Sequence, residues 1–177
     1  MKPNPQIQQR CMGATIIELL VTITIAAILL GITIPSFKTL TSVNRKSNFV
    51  NELYRNINSA RAFAIYHNEY VRVCPHSSHK CSGNWNDGIM VFVDSNNDGQ
   101  RSEKEKIIRL MSPPKKGDSL IYPRSGVSFK PTGMLKGFSN GSFVYCSANT
   151  SLNQPAIRIT VSLQGRVRVK EDSDRCS

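Results

Sequence analysis

An α+β protein, one long N-terminal helix packed on an antiparallel β-sheet head, is the architecture this sequence predicts. Three observations carry that prediction. An apolar run of 24 residues, Ala14 to Phe37, holds one charge, Glu18. From Thr41 to about His67, apolar residues recur every three or four positions. Beyond Glu69 the chain breaks into short runs rich in Val, Ile, Phe and Tyr, divided by Gly, Pro, Asn and Ser. The 177 residues suffice for one ordinary domain plus an extra element. With 40% apolar and 20% charged residues, the composition excludes a disordered tail.

Residues 1–13 are polar and carry only Lys2 and Arg10. Residues 14–37, at about 1.5 Å per residue, span roughly 36 Å, enough to cross the hydrocarbon core of a bilayer. A secretory signal would have a shorter apolar core followed by a small-residue cleavage site. Here the small residue, Gly13, precedes the run. A carboxylate near the start of a membrane helix is costly and asks for a partner. Residues 38–67 continue the helix in amphipathic form, with Val50, Leu53, Ile57, Ala60 and Ala64 on one face. One helix from Ala14 to about Tyr66 is expected, its second half buried against a sheet.

Residues 68–177 form the β-rich head. Its strand candidates are Tyr70–Cys74, Gly88–Val93, Lys106–Met111, Ser119–Tyr122, Gly126–Lys130, Ser142–Cys146, Ala156–Leu163 and Arg166–Lys170. Many short strands at this spacing imply antiparallel sheets and exclude βαβ units.

Gly13-Ala14-Thr15-Ile16-Ile17-Glu18-Leu19-Leu20-Val21 resembles the class III signal of type IV prepilins and type II secretion pseudopilins. In that family a prepilin peptidase cuts after the glycine, the new N-terminus is methylated, and the fifth mature residue is glutamate. The resemblance implies cleavage between Gly13 and Ala14, and gives Glu18 an assembly role beside the α-amino group of a neighbouring subunit. A carboxylate among packed apolar helices must be paired, and at a helix start it also suits the positive end of the dipole. The family usually has Phe or Met where Ala14 stands. Pro35 falls where many pilins carry a kinking proline.

The stretch Trp85 to Gly99 is similar to the W-x-x-G-x-x-V-F-x-D-x-N-x-D-G segment of the FimT/GspH family, minor pilins of type IV pili and minor pseudopilins of type II secretion. The resemblance implies the type IV pilin fold and single-pass storage in the inner membrane with a periplasmic head. It implies a place in the pilus after assembly, with other pilin subunits and the prepilin peptidase as partners.

Net charge is +11. Removing residues 1–13 leaves 21 basic against 12 acidic residues, and the part beyond the apolar run has 21 against 11, a net +10. The excess therefore belongs to the part beyond the apolar run, not to the leader, and favours an anionic partner. Four cysteines, Cys74, Cys81, Cys146 and Cys176, remain after the leader goes. In an oxidising periplasm two disulfides are the default, with three possible pairings. Cys74 with Cys81 would close a short loop, and Cys146 with Cys176 would tie the tail to a strand. The alternative is a zinc set of Cys74, His76, His79 and Cys81.

Asp94, Asn96, Asp98 and Glu105 fit the calcium-loop pattern in every position. The flanks read as strands, however, and Asn, Asp and Gly are also what a hairpin turn demands. No G-x-S-x-G or H-E-x-x-H occurs, and His67, His76 and His79 lack an evident acid partner. Neither an enzyme nor a cofactor is predicted.

The C-terminus is the most informative segment. Ile157, Ile159, Val161 and Leu163 alternate with Arg158, Thr160, Ser162 and Gln164, the pattern of a half-buried strand. Gly165 breaks it. Arg166, Arg168 and Lys170 then share one face, neighbours about 6.6 Å apart. Guanidinium groups bind phosphates through paired hydrogen bonds. Gly165-Arg166-Val167-Arg168 resembles the G-R-x-R motif of FimT-type minor pilins, which implies binding of double-stranded DNA during natural transformation. Arg158, Lys115, Lys116 and Lys136 are expected to extend the patch. A GspH-type pseudopilin and a minor pilin serving assembly alone are the alternatives.

Overall fold

The computed structural model describes residues 15–148 and 155–172, apart from the side chains of residues 32–40, 42 and 172. The chain divides into two compact units, Met1–Val43 and Asn44–Ser177. One helix, α1, runs from Ile16 to His67. Thr15 caps it, its hydroxyl accepting the Glu18 amide at 3.3 Å. Gly13 and Ala14, the expected cleavage pair, lie outside the described residues.

In the first unit, the described apolar side chains of α1 are exposed, from Ile16 at 82% to Val21 at 51%. A helix apolar on all sides is one that is covered in its working state. Among the described residues no helix is long and apolar enough to cross a membrane. The expected span, 14–37, lies partly outside them.

In the second unit, Val50, Leu53, Ile57, Ala60 and Ala64 are all at most 3% exposed, as their spacing predicts. They pack against two four-stranded sheets through a single core that includes Val71, Val73, Val91, Phe129, Phe143, Tyr145 and Ile159. Every buried hydrophobic side chain among the described residues lies at Val50 or beyond, so residues 44–177 hold a core of their own.

The strands are β1 (Val71–Pro75), β2 (Ile89–Val93), β3 (Ile107–Met111), β4 (Ser119–Ile121), β5 (Val127–Phe129), β6 (Gly141–Cys146), β7 (Ala156–Val161) and β8 (Val167–Asp172). All eight fall on the expected runs. One sheet has the order β3-β2-β1-β5, the other β4-β6-β7-β8, and all pairings are antiparallel.

The first sheet has a second, smaller apolar cluster on its other face: Cys74, Cys81, Met90 and Phe92, with Ile107 against it. β1 therefore serves two layers, with Val71 and Val73 in the main core and Cys74 in the smaller one.

One expectation about β7 fails. Leu163 is 40% exposed. The strand ends at Val161 because residues 162–165 form a tight turn, in which the Gly165 amide donates to the Ser162 carbonyl at 2.8 Å.

A candidate nucleic-acid interface on the last strand

β8 is an edge strand that pairs only with β7. Opposed residues of antiparallel strands share a face. Val169 opposes Ile159, and Val167 opposes Val161, so Val167, Val169 and Glu171 take the core side. Arg168 opposes Thr160, and Lys170 opposes Arg158, on the outer side. Arg166 precedes the strand proper. It extends the ladder by accepting from the Ser162 amide at 3.0 Å and donating to the Ser162 hydroxyl at 3.2 Å. Arg166, Arg168 and Lys170 thus stand at alternate positions, all exposed. Arg158 adds a fourth cation across the ladder.

Gly165 sets the angle of this strand. It is buried, with φ +74°, a left-handed conformation that disfavours any side chain. A Cβ there would sit 2.1 Å from the Gly133 carbonyl oxygen. The Leu135 amide donates to the Leu163 carbonyl at 2.9 Å, and Arg61 Nε of the helix donates to the Gly133 carbonyl at 2.9 Å. Gly165 is therefore a positioning residue, and the turn it forms is clamped against the helix.

Lys115 and Lys116 are not gathered beside β8, and the Lys136 ammonium is engaged elsewhere. Lys115 and Lys116 lie in the turn before β4, at the opposite edge of the second sheet, about 14 Å away across three strand spacings. Lys136 donates to the Asn97 carbonyl at 2.8 Å and to Asn97 Oδ1 at 2.6 Å, beside the first sheet. The cations that the geometry brings together on the outer side of β7 and β8 are Arg158, Arg166, Arg168 and Lys170.

The Asp94–Gly99 loop is a turn closed on itself. Both Asp94 oxygens accept the Gly99 amide, at 3.1 and 3.3 Å. Asp98 accepts from the Gln100 amide at 2.6 Å and from Asn96 Nδ2 at 2.7 Å. Glu105 accepts the Ser102 amide at 2.8 Å. No group of three or more His, Cys, Asp or Glu able to hold a metal occurs among the described residues. Burial, with Glu105 and Asp98 nearby, pushes the Asp94 carboxyl above its usual range, against the Gly99 amide and Lys136.

Cys74 and Cys81 form a disulfide. That removes both thiolates from the zinc alternative with His76 and His79. Cys146 is also disulfide-bonded, and its expected partner Cys176 lies outside the described residues. Thiol labelling of residues 44–177, denatured without reduction, should find no free thiol. Two reactive thiols per chain would contradict this arrangement.

Two polar residues were not foreseen from the sequence, one buried, Asp118, and one half-buried, Arg72. Asp118, 8% exposed, accepts bonds from Tyr145, Ser147 and Ala148 and pairs with Arg45. Its only signal was an acid in a Gly-containing turn. Arg72 stands in β1 between two core valines, an anomaly visible as a lone cation in V-R-V.

Residues 50–165 match the family described as type II transport protein GspH. The match stops at Gly165, so β8 lies beyond it. Among solved structures, two crystal forms of the type IV minor pilin FimU of Pseudomonas aeruginosa PAO1 are similar. The P21 form has TM-score 0.58 and 16% identity over 76% of this chain and 95% of that one. The P65 form has 0.55 and 15%, over 72% and 94%. The minor pseudopilin EpsH from the type 2 secretion system of Vibrio cholerae has 0.53 and 11%, over 72% and 97%. No curated protein sequence matches the chain.

Proposed function

We propose, for a chain that belongs to the GspH family of minor type IV pilins and pseudopilins, a pilus subunit whose head binds double-stranded DNA without reading its sequence, during DNA uptake. The observation that supports this reading is the row of Arg166, Arg168 and Lys170 on the exposed face of an edge strand, with Arg158 opposite Lys170. Such a row follows a phosphate backbone and makes no demand on bases. The net +10 of the part beyond the apolar run adds long-range attraction.

Residues 44–177 should bind duplex DNA of arbitrary sequence at micromolar or weaker affinity. Three phosphate contacts give a log–log salt slope of roughly −2.7. Arg166→Gln with Arg168→Gln should lower affinity and flatten the slope by about 2. The fold should survive, because both side chains are exposed and such substitutions cost under about 0.5 kcal/mol. In cells this variant should assemble pili and lose DNA uptake. A folded double variant with wild-type affinity and slope would move the interface elsewhere.

The family description favours one second reading, a pseudopilin of type II secretion. That role is indifferent to the two arginines, so secretion intact in the double variant, with a wild-type head that binds no DNA at low salt, would establish it.

The prepilin peptidase is proposed to cut after Gly13, leaving Ala14 as the methylated N-terminus and Glu18 as the assembly carboxylate. Gly13→Val should leave the longer, unprocessed chain in the inner membrane. Glu18→Ala should be processed and assemble poorly. Normal-sized product from Gly13→Val, read by immunoblot, would refute the cleavage site.

A further inference from the structure

A cavity of about 310 Å³ opens on the first sheet, with no residue of β8 in its lining. At its base is Arg72, on the face of β1 opposite Val71 and Val73. Its guanidinium is held closely by two glycine backbones. A Cβ at Gly126 would meet it at 2.9 Å, and one at Gly99 at 3.2 Å. It donates to Ser128 Oγ at 2.8 Å and to Ser125 Oγ at 3.2 Å. Hydroxyls hold the group in place without neutralising it. Asp94 and Asp98 are the nearby acids, and neither comes within ion-pair distance of it. The oxygens of both accept the bonds of their own turn.

Arg124 and Lys136 also line the cavity, with Ser139 and Gly137, and Asp98 is its one carboxylate. Phe138 stands on the same wall, 82% exposed. Cations and hydroxyls beside a bare aromatic ring are the elements of single-strand nucleotide recognition: phosphate on the charges, base on the ring. The volume lies at the low end for small-ligand pockets, room for one nucleotide and too little for a duplex.

We propose that this cavity is a nucleotide site, in which Arg72 and Arg124 hold a phosphate and Phe138 stacks the base. It stands apart from the β8 interface and does not depend on it. The ligand is a nucleotide unit, supplied either free or within a single strand.

The test uses the full chain in detergent. Calorimetry reads the binding of dTMP, thymidine and inorganic phosphate, and anisotropy reads that of end-labelled dT12. Wild type should bind dTMP, dT12 or both, with thymidine and phosphate each at least tenfold weaker than dTMP where dTMP binds. Phe138→Ala should weaken binding about tenfold, and Arg124→Gln by a similar factor. Neither should change the melting temperature, since both side chains are exposed. Loss confined to dT12 would identify the single strand as the source, and loss on dTMP the free nucleotide. Arg166→Gln with Arg168→Gln should leave dTMP binding unchanged, which separates this site from the duplex interface. Two variants with wild-type affinity for every probe would overturn the proposal. So would phosphate binding as tightly as dTMP, or a wild type that binds neither dTMP nor dT12.

Discussion

Gly165→Ala should lower the melting temperature of residues 44–177 by on the order of 10–15 °C. Two costs combine. The φ of +74° puts an alanine in the left-handed region, at about 1–2 kcal/mol. The new Cβ would lie 2.1 Å from the Gly133 carbonyl and 2.8 Å from Arg61 Nε. Relief requires moving a backbone segment that the Arg61 bond holds in place, an overpacking cost of about 1–3 kcal/mol. For a unit of this size, each kcal/mol is about 4 °C. Gly137→Ala is the control. Its φ is +59°, but its Cβ would meet open space, so only the conformational cost remains, about 4 °C. Thermal melts followed by circular dichroism compare the two. Equal shifts would mean that the turn is not clamped. DNA affinity should fall with Gly165→Ala even below its melting temperature, because the turn that yields is the one that aims Arg166.

Asp118→Ala should cost about 3 kcal/mol at neutral pH. The carboxylate accepts Tyr145 Oη at 2.5 Å and the Ala148 amide at 2.9 Å, and lies 3.3 Å from Arg45 Nε. Its removal leaves the Tyr145 hydroxyl and the Ala148 amide without an acceptor. Arg45, about one-third exposed, regains water and moderates the loss. Burial alone would raise the Asp118 pKa. The bonds from Tyr145 and Ala148, the charge of Arg45 and the Ser147 hydroxyl together hold it below its usual value. Its stabilisation is therefore complete above the unfolded pKa, about 3.9, and is lost as pH falls through the lower folded value. Urea melts at pH 7 and pH 3 should show the gap between wild type and Asp118→Ala narrowing in acid. A constant gap would assign the effect to packing. The same carboxylate, after burial itself, raises the Tyr145 phenol.

Periodicity made most of the fold legible. Val50, Leu53, Ile57, Ala60 and Ala64 announce their buried face, and each β-rich run became a strand. Leu163 was misread because alternation cannot see a turn. The Ser162–Gly165 bond ends the strand before the apolar pattern does. For the candidate site, the order along one strand sufficed for Arg166, Arg168 and Lys170. Lys115, Lys116 and Lys136 could not be placed, since their distance from β8 depends on strand order in the sheet. Asp118 and Arg72 were invisible for a related reason. Their partners, Tyr145 and Ala148 for one, Ser125 and Ser128 for the other, are 27 or more residues away.

The edge position of β8 has a dynamic consequence. Its ladder has one neighbour, and Val169 is 46% exposed although it faces the core side. Little apolar area opposes its detachment, so its amides should exchange with solvent deuterium faster than those of β6 and β7, which are paired on both sides. The clamp at Gly165 holds only one end, so protection should decline from Val167 toward Glu171. A polyanion lying along the outer face would bridge Lys170 to Arg158 and hold the strand to its neighbour. Ordering the strand and capturing the ligand then become one coupled equilibrium, in which part of the gross attraction is consumed by lost motion and the measured affinity is weaker than four fixed cations would give.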